Sequence, residues 1–560
     1  MFNINKIICI LLYVSSTSCF HSEIRNKRPI VTVTDGKIEG TVERIYDGSQ
    51  YYSFKGIPYA EAPVGKHRFE APLPVKPWHG IRDAAQHGPI CTQVNLTSSQ
   101  SIGSEQCLFL NVYTKSLDTK SKIPVMVFIH GGSYDQGSGN SDMYSPDLII
   151  QHDVILVTIN YRLELLGYIS LDIPEVPGNA GMRDQVMALR WVKENIMKFG
   201  GDPDNITIFG QSSAGTAVTY LILSPMAQGL FHKAIAQSGV CLQDWAQGRE
   251  MVQRAFRAGE VLGKKTKDVA ELLEFLRSLP AGNLTNLNSK TSTQDERYRD
   301  LGPKFVPVVE AKFPNVQPFI SEDPALLLVH GNTRKVPLML GYNSGDGIKS
   351  ISRELLRLDI SNINPSYLVP SILADRLSEE QVMKVGERIK RFYAGNGNFS
   401  EDHPESIRDM ATDLHFAYNI HRFAYLYSSL QVPVYMYRFN FDTDLNIAKK
   451  MTPYKNVEGA SHADDLFYLF YNSLNKNILD SDTKLRKYTY DITKMWTDFA
   501  KTGNPTPDGS LGVNWLPYTP TGKEYFNIQD KYSVGRFADQ RRMEFWDQIY
   551  KEAGLPHIGQ

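Results

Sequence analysis

The stretch Asn205-Ile-Thr-Ile-Phe-Gly-Gln-Ser-Ser-Ala-Gly-Thr-Ala-Val218 decides the fold that this sequence predicts. The β-branched and aromatic residues at 206–209 indicate a buried strand, and the small residues from 214 onward predict a helix that runs to residue 223. Between them Gly210-Gln-Ser212 forms a sharp turn. A serine at such a strand-to-helix turn is a nucleophile elbow, in which the turn lifts the hydroxyl clear of the sheet. The G-x-S-x-G pattern is imperfect, because Ala214 stands where the second glycine belongs.

Apolar, β-branched runs on both sides of the elbow indicate further buried strands. They lie at residues 125–129, 154–160, 234–237, 336–340 and 434–439, and a helix is predicted at 183–199. Strands that alternate with helices predict an α/β fold with a mostly parallel central sheet flanked by helices. In such sheets ligands bind beyond the carboxyl ends of the strands, where the elbow serine lies. The helix-rich regions 242–335 and 355–430 are predicted to be insertions that cover the site.

A serine hydroxyl becomes a good nucleophile only when an imidazole removes its proton and an acid orients that imidazole. At a nucleophile elbow these groups follow in the order Ser, Asp or Glu, His. Asp346 lies between glycines just after the strand at 336–340, and His462 follows the strand at 434–439. Either residue alone would be an ordinary loop residue. Their order and their positions after strands make them the candidate acid and base.

The tetrahedral oxygen of an acyl-transfer reaction needs backbone N–H groups aimed at it, and glycines allow the chain to approach closely. Gly131, Gly132 and Ser133 follow the strand at 125–129 and match the loop type that supplies such donors. We expect the N–H groups of Gly132, Ser133 and Ser213 to form the oxyanion hole. No H-E-x-x-H motif or clustered Cys/His spacing predicts a metal site, so we expect neither a metal nor a cofactor.

Residues 1–19 have the three regions of a secretory signal peptide. One lysine, Lys6, precedes the apolar run 7–14 and the small residues 15–19. The run is too short to cross a bilayer, and no later stretch is long and apolar enough to do so. The C-terminus carries no retention signal. We therefore expect a secreted protein without a membrane span.

The composition favours a large α/β domain that binds a small molecule. The chain has 560 residues, 42% of them hydrophobic, and a formal net charge of −1. A chain of this length can bury a sizeable core, and no linker divides it, so we expect one domain over residues 28–555. The near-zero net charge gives no indication of a basic surface that would bind nucleic acid, and it favours a small, nearly neutral ligand. The oligomeric state is not indicated.

Many separate motifs give this chain a strong family resemblance. It resembles the type-B carboxylesterase/lipase family, which includes carboxylesterases, cholinesterases and insect juvenile hormone esterases. The matching motifs are Phe54-Lys-Gly-Ile-Pro-Tyr-Ala60, Cys107-Leu-Phe-Leu-Asn-Val-Tyr113, His130-Gly-Gly-Ser133, Asn160-Tyr-Arg162, Gly178-Asn-Ala-Gly181, Asp184-Gln185, Phe199-Gly-Gly-Asp-Pro203, Ile208-Phe-Gly-Gln-Ser212, Gln237-Ser-Gly239, Gly459-Ala-Ser-His462 and residues 496–505. The resemblance implies an α/β-hydrolase fold, ester hydrolysis through an acyl-enzyme and no cofactor.

The family resemblance and the expected secretion also bear on the cysteines and the glycosylation sequons. After signal cleavage Cys91, Cys107 and Cys241 would remain, and the resemblance implies a Cys91–Cys107 disulfide with Cys241 left as a buried thiol. N-x-[ST] sequons at Asn95, Asn283 and Asn398 are candidate glycosylation sites. A fourth sequon, at Asn205, directly precedes the elbow strand and is the least suitable.

Departures from the family pattern leave two candidate nucleophiles. The run from Phe209-Gly-Gln-Ser212 to Leu223-Ser-Pro225 has the family's spacing without a gap, which favours Ser212. Ser213 is the rival, because Ser213-Ala-Gly215 reproduces the family's Ser-Ala-Gly, but it requires an extra residue in the elbow. The methyl group of Ala214 enters a crowded position and predicts slow turnover.

Three further departures bear on the substrate. Asp346 stands where glutamate is more common in the family, and Gln211 replaces a glutamate that often precedes the nucleophile. The loop between Cys91 and Cys107 lacks the tryptophan with which cholinesterases bind a quaternary ammonium, so choline esters are not expected. The main hypothesis is a secreted serine carboxylesterase for neutral carboxylic esters, similar to insect carboxylesterases.

Two alternatives stay open. Within the class, the Gly-Gln-Ser sequence at the elbow resembles that of juvenile hormone esterases. From another class, the His-Gly-Gly-Ser loop resembles that of family members that have lost the nucleophile, and it favours a non-catalytic adhesion or ligand-sequestering protein on the same fold.

Overall fold

The computed structural model describes residues 28–559 except Leu96, Asp300 and Leu301, so the predicted signal peptide lies outside the described residues. The strands of this part of the chain are β1 (Ile30–Val33), β2 (Gly36–Glu39), β3 (Thr41–Arg44), β4 (Gln50–Pro58), β5 (Ile81–Asp83), β6 (Gln93–Val94), β7 (Ser101–Ile102), β8 (Phe109–Thr114), β9 (Ile123–Ile129), β10 (Ile155–Ile159), β11 (Gly201–Gln211), β12 (Lys233–Gln237), β13 (Leu338–Asn343), β14 (Val434–Phe439), β15 (Glu524–Ile528) and β16 (Ser533–Arg536).

Helices lie between and around these strands. They are α1 (Asp147–Ile150), α2 (Glu164–Tyr168), α3 (Ala180–Asn195), α4 (Ser213–Leu223), α5 (Met251–Val261), α6 (Val269–Ser278), α7 (Gln294–Arg299), α8 (Pro324–His330), α9 (Ile351–Ile363), α10 (Ser371–Ala374), α11 (Glu379–Ala394), α12 (Pro404–Thr412), α13 (Tyr418–Ser428), α14 (Ile447–Lys450), α15 (Lys476–Ser481), α16 (Thr483–Thr502) and α17 (Gln540–Glu552). A short 3-10 helix, Asp346–Ser350, leads from β13 into α9. Helices α5 to α13 fill most of the two regions expected to hold helical insertions.

Eleven of the described strands form one large sheet in the order β16-β15-β14-β13-β12-β11-β9-β10-β8-β4-β3. The strands from β10 to β15 pair in parallel, whereas the pairs at the two ends are antiparallel. Long apolar runs suit the central strands because both of their faces are covered. The predicted α/β-hydrolase fold is therefore confirmed, and its mixed sheet is parallel at the centre, as expected for a mostly parallel sheet.

Two apolar cores pack against the two faces of this sheet. Alternate residues of a strand point to opposite faces, and β9 divides in this way. Val125, Val127 and Ile129 join one core, whereas Met126 and Phe128 join the other. Helices α3 and α4 contribute to the first core, and α16 contributes to the second. The elbow strand β11 lies between β9 and β12 near the centre of the sheet, where both cores pack against it.

Three local features differ from the sequence expectations. Strand β13 continues to Asn343, beyond the strand expected at 336–340, and Asp346 begins a 3-10 helix instead of lying in an open loop. The strands β15 and β16, which extend the sheet beyond β14, were not predicted. Only Phe526 and Ile528 of β15 are buried, and no residue of β16 is, so neither strand has an apolar run that sequence periodicity would detect.

Candidate active site

The elbow has the backbone geometry that the sequence predicts. Strand β11 ends at Gln211, helix α4 begins at Ser213, and Ser212 between them has φ 63° and ψ −127°. A positive φ is costly for a residue with a side chain, and such strain is typical of positions where a turn presents a functional group. The Ser212 N–H donates to the carbonyl oxygen of Gln237 at 2.8 Å, which ties the turn to β12.

The methyl group of Ala214 fits because Gly210 has no side chain. Ala214 is fully buried, and a Cβ built on Gly210 would lie 2.6 Å from the Ala214 Cβ. Across the turn, a Cβ on Gly239 would lie 2.2 Å from the Ser212 carbonyl oxygen. Gly210 and Gly239 therefore provide the space in which the elbow can carry an alanine.

His462 joins the elbow to the acid. Its Nε2 lies 2.8 Å from the Ser212 Oγ, and its Nδ1 lies 2.9 Å from Asp346 Oδ1. Ser213, the rival nucleophile, is fully buried and its hydroxyl forms no hydrogen bond with the His462 imidazole, whereas Ser212 is partly accessible. With Nδ1–H donating to Asp346, the lone pair of Nε2 faces Ser212, which is the arrangement a general base requires.

Burial and hydrogen bonds adjust the two partners in opposite ways. Burial lowers the pKa of His462, and the positive charge of Lys349 lowers it further, so the imidazole is neutral and able to accept a proton. Burial raises the pKa of Asp346, whereas hydrogen bonds from the Asn343 N–H and the Ser238 hydroxyl, both 2.9 Å from Oδ2, favour its ionised form. These donors hold one carboxylate oxygen while the other faces the histidine.

Two residues that contact the acid and the base were not assigned a role from the sequence. Ser238 follows β12 with φ 47° and donates to Asp346, and the Phe416 ring stacks on the His462 imidazole at a centroid distance of 4.5 Å. The family motif Gln237-Ser-Gly239 includes Ser238, but it does not indicate the hydrogen bond from Ser238 to Asp346. Phe416 lies in an inserted helical region, and no sequence pattern connects it with the catalytic residues.

The loop after β9 reaches the elbow. Gly132 and Ser133 line the same cavity as Ser212 and His462. A Cβ on Gly132 would lie 2.2 Å from the Gln136 carbonyl oxygen, and Gly132 has φ 114°, so this position requires glycine. Ser133 adopts φ 57°, an unfavourable value for serine that explains why glycine suits this position in related loops.

Ser213 occupies the first turn of α4, immediately after the nucleophile candidate. The first N–H groups of a helix have no partner within the helix, and they carry the positive end of its dipole. The Ser213 N–H is thus available to an anion beside Ser212, whatever its own side chain contacts.

A cavity of about 300 Å³ opens over Ser212. Its lining residues are Gly132, Ser133, Gln136, Gln211, Ser212, Trp245, Gly302, Pro303, Lys349, Ser350, Arg353, His415, Phe416 and His462. Trp245 and Phe416 offer aromatic surface to a substrate. Two cations, Lys349 and Arg353, also face this space, and the sequence did not single them out.

The expected disulfide is present and links Cys91 to Cys107, while Cys241 is a buried free thiol. The sequon residues Asn283 and Asn398 are exposed, and Asn95 is partly buried. Asn205 is bonded through its side chain to Lys233 and to the Lys501 carbonyl, so it is poorly placed for a glycan.

Within residues 28–559, apart from the three gaps, no group of three or more His, Cys, Asp or Glu side chains is arranged to hold a metal ion. The helices in the same part of the chain include none whose length and apolar character would allow it to cross a membrane.

Comparisons with known proteins agree with this geometry. A model of the carboxylesterase family matches residues 27–546. The chain is 32% identical to a juvenile hormone esterase of Heliothis virescens, covering 95% of this chain and 96% of that protein, and 33% identical to a carboxylic ester hydrolase of Bombus ignitus, covering 93% and 94%. It also resembles the crystal structure of juvenile hormone esterase from Manduca sexta with OTFP covalently attached. That match has a TM-score of 0.83 and 30% identity, and it covers 94% of this chain and 100% of that one. The chain belongs to the carboxylesterase family.

Proposed function

We propose that this carboxylic ester hydrolase works through an acyl-enzyme on Ser212, with His462 as base and Asp346 as the group that orients it. The observation that carries the proposal is the continuous hydrogen-bonded chain from Ser212 Oγ through His462 to Asp346, at 2.8 and 2.9 Å. The N–H groups of Gly132, Ser133 and Ser213 are proposed to hold the oxyanion.

The reaction follows from these positions. As Ser212 Oγ attacks the ester carbonyl, its proton passes to His462 Nε2, and Asp346 stabilises the imidazolium that forms. The carbonyl oxygen becomes negative in the tetrahedral intermediate, where the oxyanion N–H groups stabilise it. When the C–O bond breaks, the alcohol leaves with the proton from His462. Water then repeats the sequence on the acyl-enzyme and releases the acid, so no cofactor is required.

The proposal is tested by labelling and by the first turnover. A fluorophosphonate should modify the purified protein at Ser212, identified by mass spectrometry of a digest, and p-nitrophenyl butyrate should give a burst. Ser212→Ala should abolish both, whereas Ser213→Ala should still be labelled. Label on Ser213 would refute the choice of nucleophile. A protein without burst or label would be the non-catalytic ligand-sequestering alternative.

Juvenile hormone is a candidate substrate because relatives from Heliothis virescens and Tribolium castaneum are named juvenile hormone esterases, at 32% and 33% identity. A carboxylic ester hydrolase at 33% identity gives equal support to a general esterase. Comparing kcat/KM for juvenile hormone and for simple alkyl esters separates these substrates.

We further propose that residues 1–19 are removed as a signal peptide, and that residues 28–555 fold as one domain that is secreted and glycosylated at Asn95, Asn283 and Asn398. The exposure of Asn283 and Asn398 supports the last point. N-terminal sequencing of protein from an expressing cell's medium tests cleavage and export. Enzymatic deglycosylation followed by mass measurement tests the sequons.

A further inference from the structure

Lys349 and Arg353 project from the segment that carries the acid. The 3-10 helix Asp346–Ser350 runs directly into α9, and residues four apart on a helix share a face. Both side chains line the cavity over Ser212. The segment that presents Asp346 to His462 therefore also presents two cations to the substrate cavity.

Neither cation has a close anionic partner in the described part of the chain. Among the described residues, no ion pair or hydrogen bond is formed by the Lys349 amino group, and Arg353 approaches a carboxylate only at 4.0 Å, that of Glu354. The Arg353 Nε has no hydrogen-bond acceptor. Glu354 is already engaged, since its carboxylate binds Arg357 and accepts a 3.0 Å contact from His415.

The described acids nearest this cavity are engaged by other groups. No aspartate or glutamate is among the described residues that line it. Asp346 faces His462, and Asp464 accepts hydrogen bonds from the backbone N–H groups of Ser461 and Lys449.

An adjoining cavity shares Ser133 and Arg353 with the first and contains Asp135 and Glu164. Glu164 accepts three backbone N–H groups, those of residues 286–288, at 2.6 to 3.1 Å. Burial raises the pKa of Asp135 to about 7, which weakens its charge at neutral pH. Arg297 and Lys304 also line this adjoining cavity, so its two acids do not make the combined cavity negative.

We propose that Lys349 and Arg353 form an anion subsite that recognises an ionised acid group, such as a carboxylate, carried by the ester substrate. The guanidinium can bind a carboxylate through two parallel N–H donors, and the ammonium adds a point charge. A cleft lined by one sign of charge also concentrates ligands of the opposite sign. This inference rests on the proposed function and specifies its substrate class. It differs from the neutral ester expected from the net charge, because that charge does not describe the local charge of a cavity.

Two matched substrate pairs test the subsite on the full-length secreted enzyme. The p-nitrophenyl monoester of adipate and p-nitrophenyl hexanoate differ by a carboxylate in the acyl half. 4-Acetoxybenzoate and 4-acetoxybenzamide differ in the alcohol half. We expect a higher kcat/KM for the anionic member of at least one pair. The pair that responds identifies the half of the ester that reaches the cations.

The variants Lys349→Met, Arg353→Met and their double variant should lower the ratio of anionic to neutral kcat/KM, by about tenfold for each lost charge-assisted hydrogen bond. Any general loss of activity cancels in this ratio. Lys349→Arg should retain the preference, and Lys120→Met is the matched control because Lys120 is exposed and absent from the cavity lining. A salt titration of the wild type needs no variant that could misfold. There the ratio of anionic to neutral kcat/KM should fall as salt screens the charges.

A wild-type enzyme that hydrolyses the neutral esters but prefers them in both pairs would overturn the subsite alone. So would a preference that the double variant keeps, or one that salt does not reduce. If no ester is hydrolysed and no fluorophosphonate label forms, the proposed function fails first, and the subsite fails with it.

Discussion

Replacing Asp346 with asparagine should disable the base without changing the shape of the site. In the wild type, Asp346 Oδ2 accepts from the Asn343 N–H and the Ser238 hydroxyl, and Oδ1 faces His462 Nδ1. An asparagine amide has one oxygen and one NH2 group. If the oxygen faces the Asn343 N–H, the NH2 faces His462, whose Nε2 must then carry the proton and can no longer accept one from Ser212.

The cost can be worked out from these contacts. The imidazolium of the transition state loses a charge-assisted hydrogen bond, about 1.5–3 kcal/mol. Restoring the productive tautomer would turn the amide NH2 toward the Asn343 N–H and leave that buried donor unpaired, about another 1–3 kcal/mol. Together these losses are about 2.5–6 kcal/mol, which corresponds to a fall of roughly 70- to 25,000-fold in kcat/KM.

The assay is p-nitrophenyl butyrate hydrolysis with active-site titration, alongside a thermal unfolding curve to verify folding. Asp465→Asn is the matched control, because Asp465 is also buried near His462 but bonds Gln237 and Asn343. We expect that variant to retain kcat/KM within about tenfold. A folded Asp346→Asn enzyme that loses less than tenfold would refute the assigned role of Asp346.

Three further predictions concern pH and stability. The attack needs a neutral His462, and burial lowers the pKa of this imidazole, so kcat/KM should fall on the acid side only below pH ~6.5. The Lys349 charge also lowers that pKa, so Lys349→Met should move the acid limb to higher pH. A limb above 6.5 in the wild type would contradict this. Arg162→Met should lower the free energy of unfolding by about 3–5 kcal/mol, measured by chemical denaturation, because it leaves Asp184 buried without its cation. Cys91→Ser removes the disulfide to Cys107, 16 residues away, and should lower the free energy of unfolding by about 3 kcal/mol. Under reducing conditions the wild type loses the same disulfide, so the difference between the two proteins should disappear. A difference of the same size under those conditions would refute the disulfide as its cause.

Much of the fold could be predicted because its central elements have strong local patterns. The expected strand at 434–439 has the bounds of β14, and α4 begins one residue before the helix expected at 214. The expected strand at 336–340 was displaced because Leu338, rather than Val336, is the first residue to join the sheet, and pairing with β14 extends it to Asn343. Such sheet pairing depends on partners far away in the chain.

For the site, sequence order and motif spacing were sufficient to propose Ser212, Asp346 and His462. They could not decide how Ala214 is accommodated, because the answer lies in the space left by Gly210 across the turn. They also could not identify Ser238 as a partner of Asp346, since 108 residues separate the two side chains.

The sequence by itself determined the class of fold, the family and the chemical groups of the site, because strand and helix periodicity and short motifs are local properties. Only the tertiary structure decided which of two adjacent serines meets His462, 250 residues further along. It also decided that Lys349 and Arg353 face the substrate cavity, where no described carboxylate forms a close pair with either of them. The physical reason is that burial, hydrogen-bond direction and local charge depend on distances between side chains, and folding sets those distances across the whole chain.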